Sequence, residues 1–266
     1  MTDREQVRDA GIGSAIIVDD GYDEIPEVAE LRDEGAWDSF FDDAQGVEAE
    51  RITAHFPAYN PDDREELRSN QEFINALWEA RETIRDLLGG LFDNYERKIS
   101  DNRPFLDAAE AALTALGIPY ETCGRDFVGS AIDVDLIVID LFLGIQQGAP
   151  DREFTVERLK EVIKRREDRP LPSIVLMSQV QGIDKLAKDF RRDVELHASA
   201  FRQIRKNDLQ KPGRMEGLIL TLATHRSDSL ALAKFVDTWE DKAIEAVHAA
   251  AGTLHKIDID DLQHIR

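Results

Sequence analysis

Asp19 and Asp20 follow the apolar run Ala15-Ile16-Ile17-Val18, and Asp140 closes the run Leu136-Ile137-Val138-Ile139. Ser178 closes a third run, Ile174-Val175-Leu176-Met177, and a fourth stretch from Phe201 to Ile204 leads into Arg205-Lys206. Near-continuous β-branched runs are the signature of parallel strands buried on both faces, and ligands gather beyond the carboxyl ends of such strands. Three carboxylates, a hydroxyl and an ammonium arriving there form a site for metal-assisted phosphoryl transfer. A carboxylate attacks a phosphoryl group only when the negative charge of both is neutralised, which a hard cation such as Mg²⁺ on oxygen ligands does best. Without a cation, three close acids repel and raise at least one pKa. A cation is therefore nearly required if all three face inward.

The elements that must position these residues follow from periodicity and punctuation. Residues 1–12 are read as a disordered lead, 14–18 as the first strand and 21–26 as a loop. Residues 27–100 read as helical, with a capping box at Ser69-Asn70-Gln71-Glu72. Beyond it, Phe73, Leu77, Ile84, Leu88, Phe92, Tyr95 and Ile99 recur at mostly helical spacing, and Gly89-Gly90 breaks or kinks the stripe. A second helix is predicted from about Asn102, with Pro104 in its first turn, to Gly117. Residues 118–123 read as a strand at a sheet edge because of Pro119. Between Asp126 and Asp133 there is room for about one turn of helix. Thr155 is expected to cap a helix over 156–167. A strand at 173–177, a helix around 182–196, a strand at 201–204 and a helix over 214–224 follow, and a separate long helix is expected from Ser227 to Arg266. Strands alternating with helices predict an α/β fold, a doubly wound parallel five-stranded sheet with right-handed crossovers.

This order of motifs resembles the receiver domain of two-component response regulators, over residues 14–24 and 103–224. The resemblance implies that Asp140 is the phosphoacceptor and that Asp19, Asp20, Asp140 and the backbone carbonyl of Phe142 hold Mg²⁺. It further implies that Ser178 and Lys206 respond to the phosphoryl group, and that Lys206→Ala leaves the fold intact while uncoupling the response. Asn207 follows the lysine where receivers usually carry proline, so Lys211-Pro212 is a competing match for that position. The step of 120 positions from Asp20 to Asp140 exceeds a minimal receiver. The implied organisation is a receiver-like domain over 12–226, interrupted by an acidic helical insertion at 25–100, with a C-terminal helical extension at 227–266. Enlarged receivers of this kind resemble the atypical family found with unusual bacterial histidine kinases, including those of antiphage systems. The implied partners are a histidine kinase or phosphotransfer protein and a downstream target contacted by the insertion.

Composition narrows the alternatives. The net charge is −21, which disfavours direct binding to nucleic-acid backbones. Residues 21–100 carry 21 acidic against eight basic side chains, read either as a solvated helical face or as a docking surface for a basic partner, even a DNA mimic. One cysteine, Cys123, and the lack of a long apolar run or a leader-like start predict a cytoplasmic protein with no membrane segment. The scattered histidines, His225, His248, His255 and His264, have no metal-ligand spacing. The C-terminal helix carries an apolar side that allows a homodimer. Two rival readings stand beside the phosphoacceptor: a phosphorylation-independent pseudo-receiver acting as an interaction module, and a doubly wound phosphohydrolase.

Overall fold

The computed structural model describes residues 1–144, 148–166 and 169–254. Five strands, β1 (Ala15–Val18), β2 (Tyr120–Cys123), β3 (Leu136–Asp140), β4 (Ser173–Ser178) and β5 (Phe201–Arg205), form one all-parallel sheet in the order β2-β1-β3-β4-β5. The helices in chain order are α1 (Asp3–Asp9), α2 (Glu34–Asp43), α3 (Val47–His55), α4 (Arg64–Arg68), α5 (Gln71–Ala80) and α6 (Arg85–Leu88). They continue with α7 (Asp93–Leu116), α8 (Val128–Ala131), α9 (Ala149–Arg165), α10 (Ile183–Asp193), α11 (Lys206–Leu209) and α12 (Arg214–Leu254). None of the helices among the described residues is long and apolar enough to cross a membrane.

The two-residue period of the strands splits their side chains between two cores. Ile16, Val18, Ile137, Ile139, Ile174 and Leu176 face α8, α9 and α10. Ala15, Ile17, Leu136, Val138, Val175 and Met177 face α1, α7, α11 and α12. Burial on both sides explains why β1, β3 and β4 read as unbroken apolar runs. β2 and β5 lie at the edges, and their exposed positions carry Glu121 and Arg205. A third core, around Trp37, Phe40, Phe41, Phe73 and Leu77, holds the helices between Leu31 and Phe92 together. Trp37 stacks on Phe41 with ring centroids 5.5 Å apart, and its indole N–H donates to the Leu31 carbonyl.

Local structure departs from the sequence expectations at five places, each with a physical reason. The lead is not structureless: Thr2 and Glu5 form a capping box for α1, and Val7 is buried against the second core. Ser69 is not the cap of α5; its hydroxyl donates back to the Glu65 and Glu66 carbonyls, while Asn70 accepts from the Glu72 and Phe73 amides. The apolar stripe from Phe73 to Tyr95 is divided among α5, α6 and α7. α7 then runs through Pro104, which removes one intrahelical bond that burial of Leu106, Ala109 and Leu113 outweighs. Thr155 lies inside α9, where its hydroxyl donates to the Asp151 carbonyl and accepts from the Leu143 amide.

The fifth departure is α12, which is continuous where two helices were expected. Arg226, buried at the expected break, donates to the Asp135 carbonyl and the Ser173 hydroxyl and anchors the helix under β3 and β4. Beyond Ala233 the helix leaves the core and exposes Phe235, Trp239, Ile244 and Val247. Residues 255–266 of the expected C-terminal helix, with His255 and His264, lie outside the described residues.

Candidate functional site

Strand order reverses at β1, whose neighbours β2 and β3 come next in sequence on its two sides. Loops leaving the carboxyl ends of β1 and β3 therefore part from one another and open a crevice there. Asp19 and Asp20 leave β1 into this crevice, and Asp140 is the last residue of β3. All three are buried, and one oxygen from each lies within 4.8 Å of the others. Ser178, at the end of β4, and Lys206, immediately after β5, complete the rim.

Each carboxylate is held differently. Asp19 caps the short turn Asp20–Tyr22: its Oδ1 accepts from the Gly21 amide at 2.9 Å and from Asn102 Nδ2. Its Oδ2 lies 2.6 Å from Lys206 Nζ as an ion pair. Lys206 Nζ also donates to Asp140 Oδ2 at 2.7 Å and to Asn102 Oδ1 at 3.1 Å. Asp20 Oδ2 accepts from Lys98 Nζ at 2.6 Å. The Ser178 hydroxyl accepts from the Val180 amide at 3.2 Å and lines the same pocket, with Phe142, Gly144 and Gln179.

Burial dominates the electrostatics. It pushes the Asp140 carboxyl up to about 7, opposed by Lys206 and reinforced by Asp19. Burial likewise raises Asp20 against the pull of Lys98, with Asp19 adding to the rise. For Lys206, burial would lower the ammonium pKa, but Asp140 and Asp19 outweigh it and hold the group above the usual lysine range. Arg125 extends the network, with its guanidinium 3.1 Å from Asp23, 3.0 Å from Glu30 and 3.9 Å from Asp20. The carboxylates of Asp19, Asp20, Asp23, Glu27, Glu30 and Asp140 thus face the cations Lys98, Arg125 and Lys206. When all are ionised this leaves an excess of negative charge, which a divalent cation would reduce. The donor set, all hard carboxylate oxygens, fits such an ion.

Of the residues predicted for the site from sequence, Asp20, Asp140, Phe142, Ser178 and Lys206 line this pocket, and Asp19 is buried behind it against Lys206. Lys206, not Lys211, is the lysine that does so; Lys211 is exposed and pairs with Asp208 at 2.6 Å. Sequence reasoning missed Lys98, Asn102 and Arg125. The first two stand one turn apart on α7, a spacing that puts both on one helix face. Only the continuity of α7 across the helix start predicted near Asn102 makes that relation visible. Cys123 takes no part: it is half-buried, and its thiol, raised by burial, approaches the Asp126 carbonyl at 3.5 Å.

Gly21 is closely packed in the crevice. A Cβ there would meet Asn102 Nδ2 at 2.8 Å, Asp19 Oδ1 at 3.0 Å and Leu106 Cδ1 at 3.1 Å. Gly21→Ala is expected to displace Asn102 from Asp19 and to destabilise the protein by about 1–3 kcal/mol, the usual scale of overpacking. Urea denaturation measures the loss; a variant as stable as the parent would show that α7 yields without strain. No protein-family model, curated protein or solved structure matches the chain.

Proposed function

We propose that this chain is a divalent-cation-dependent phosphoacceptor, with a doubly wound, receiver-like core and Asp140 as the residue that takes the phosphoryl group. The observation that carries this reading is the meeting of Asp19, Asp20, Asp140, Ser178 and Lys206 at one end of the sheet. Strand order and the apolar cores on both sheet faces support the receiver-like arrangement. The separate core of the helices between Leu31 and Phe92 supports reading residues 25–100 as an acidic helical insertion after the first strand. The pocket volume, about 190 Å³, suits a phosphoryl group and falls below the ~300 Å³ at which sites for larger organic ligands begin. That favours a phosphoacceptor over a phosphohydrolase of bulky esters.

In the proposed step a carboxylate oxygen of Asp140 attacks phosphorus, and an O–P bond forms as the bond from phosphorus to the donor breaks. The electron pair leaves on the donor, an imidazole nitrogen if a histidine kinase or phosphotransfer protein supplies the group. Asp19, Asp20, Asp140 and the Phe142 carbonyl would hold Mg²⁺, which would neutralise the phosphoryl oxygens. Lys206, already beside Asp140, pairs with a phosphoryl oxygen, and the Ser178 hydroxyl donates to another. The new charge draws Lys206 from Asp19, and partner contacts change as the rim rearranges.

Intact mass after incubation with acetyl phosphate and Mg²⁺ tests the reading. A gain of ~80 Da, one phosphoryl group, that is prevented by a chelator is the expected result. An unmodified, folded protein would leave the second reading, a phosphorylation-independent interaction module. One observation favours that rival: Lys98 pairs with Asp20, and Lys206 is shared by Asp19 and Asp140, so every acid of the cluster already has an ammonium partner.

A further inference from the structure

Lys98 Nζ sits between two carboxylates, 2.6 Å from Asp20 Oδ2 and 2.8 Å from Glu30 Oε1. Asp20 belongs to the acid cluster at the strand ends. Glu30 belongs to the turn Val28–Glu30, which leads into the helical segment. The Glu30 side chain is only 3% exposed, and Arg125 also reaches it, at 3.0 Å. Its second oxygen accepts from the Glu27 amide at 3.1 Å and so holds the turn closed. The same turn is tied to α5, where Gln71 accepts from the Val28 amide and donates to the Pro26 carbonyl. Lys98 thus connects the acid cluster to the segment that enters the third core more closely than Arg125, which lies 3.9 Å from Asp20.

Building on the cation-binding reading above, we propose that Lys98 sets the cation affinity of the acid cluster and reports its occupancy to the Glu30 turn. A divalent cation drawn to Asp20 repels the ammonium across a few ångströms of poorly screened space. Lys98 has somewhere to go. Its stem is flexible, its side chain is one-third exposed, and Glu30 already offers it a second seat. Its full charge then falls on Glu30, where it competes with Arg125 and with the bond to the Glu27 amide. Lys98 therefore weakens cation binding in proportion to the cost of moving it, and occupancy loosens the Glu27–Leu31 turn. By linkage, whatever holds Lys98 on Glu30 favours the cation.

Calorimetric titration of chelator-stripped full-length protein with Mn²⁺ tests the affinity. Lys98→Met, which keeps most of the stem and removes the charge, is expected to bind about tenfold more tightly. Glu30→Gln is expected to bind more weakly in the parent and to have no further effect beside Lys98→Met, because its influence runs through the lysine. Equal affinities for the parent and Lys98→Met would overturn the role of Lys98 while leaving the cation site intact. So would an equal effect of Glu30→Gln in both backgrounds. Binding by Lys98→Met where the parent binds nothing would support the proposal, whereas no binding by either would overturn it together with the cation reading. Hydrogen exchange on the unaltered protein checks the relay without any variant. Amides Glu30 and Leu31, which donate within the turn, should exchange faster with Mn²⁺ present, and unchanged protection would overturn the relay.

Discussion

Replacing Asp140 by asparagine is expected to abolish the ~80 Da gain from acetyl phosphate while leaving the protein folded. The amide has the shape of the carboxylate but cannot form an acyl phosphate. The fold should survive because the substitution removes a buried carboxylate already pushed up to about 7, and Lys206 keeps its ion pair with Asp19. Circular dichroism and intact mass, measured on the same sample, separate the two effects. A variant that still gains the phosphoryl mass would place the acceptor elsewhere. Asp20 would then be the next residue to test, because it lines the same pocket.

Lys206→Met is expected to lower the stability of the cation-free protein by about 3–5 kcal/mol, the scale found when one partner of a buried ion pair is removed. This revises the expectation that Lys206→Ala would spare the fold. Lys206 is 3% exposed and screens Asp19 from Asp140, so its loss leaves two buried carboxylates facing each other. The deficit has a defined pH dependence. In the parent, Asp140 is raised from 3.8 to about 7, so the native state binds more protons than the unfolded chain between those values. Stability from this group is therefore present below about 4 and lost as pH rises towards 7. Removing Lys206, which lowers the Asp140 pKa, moves the upper end of that window higher. The gap between parent and variant should accordingly widen from pH 5 to pH 8 in a chelator, and Mn²⁺ should narrow it. Urea denaturation at several pH values measures this; a gap that does not change with pH would mean that Lys206 stabilises by packing alone.

The legible parts of the chain were those in which one residue type answers one local demand. Strands buried on both faces must be apolar at every position, so β1, β3 and β4 stood out, and Asp19, Asp20, Asp140 and Ser178 at their ends stood out with them. Gly117 ends α7 in the left-handed conformation, as its place after the apolar stripe predicts. Edge position of β2 followed from Pro119. Misreadings clustered where a local signal competed with tertiary packing. Pro104 marks a helix start when read locally but lies inside α7, because Leu106, Ala109 and Leu113 are buried on the sheet. Ser69 and Asn70 are both able caps, and only the position of α4 decides which one faces α5.

The sequence by itself determined the α/β class, the parallel strands and the acids at their tips, because burial periodicity and strand-end chemistry are local properties. Tertiary structure alone decided which charges meet those acids. Lys98 and Asn102 come from a helix more than 75 residues away from Asp20 in the chain, and Arg125 comes from beyond β2. A lysine on a helix reads the same whether it meets water or a buried carboxylate. Only the packing of α7 across the mouth of the crevice distinguishes the two, since Coulomb attraction depends on separation in space and on the surrounding dielectric, not on distance along the chain.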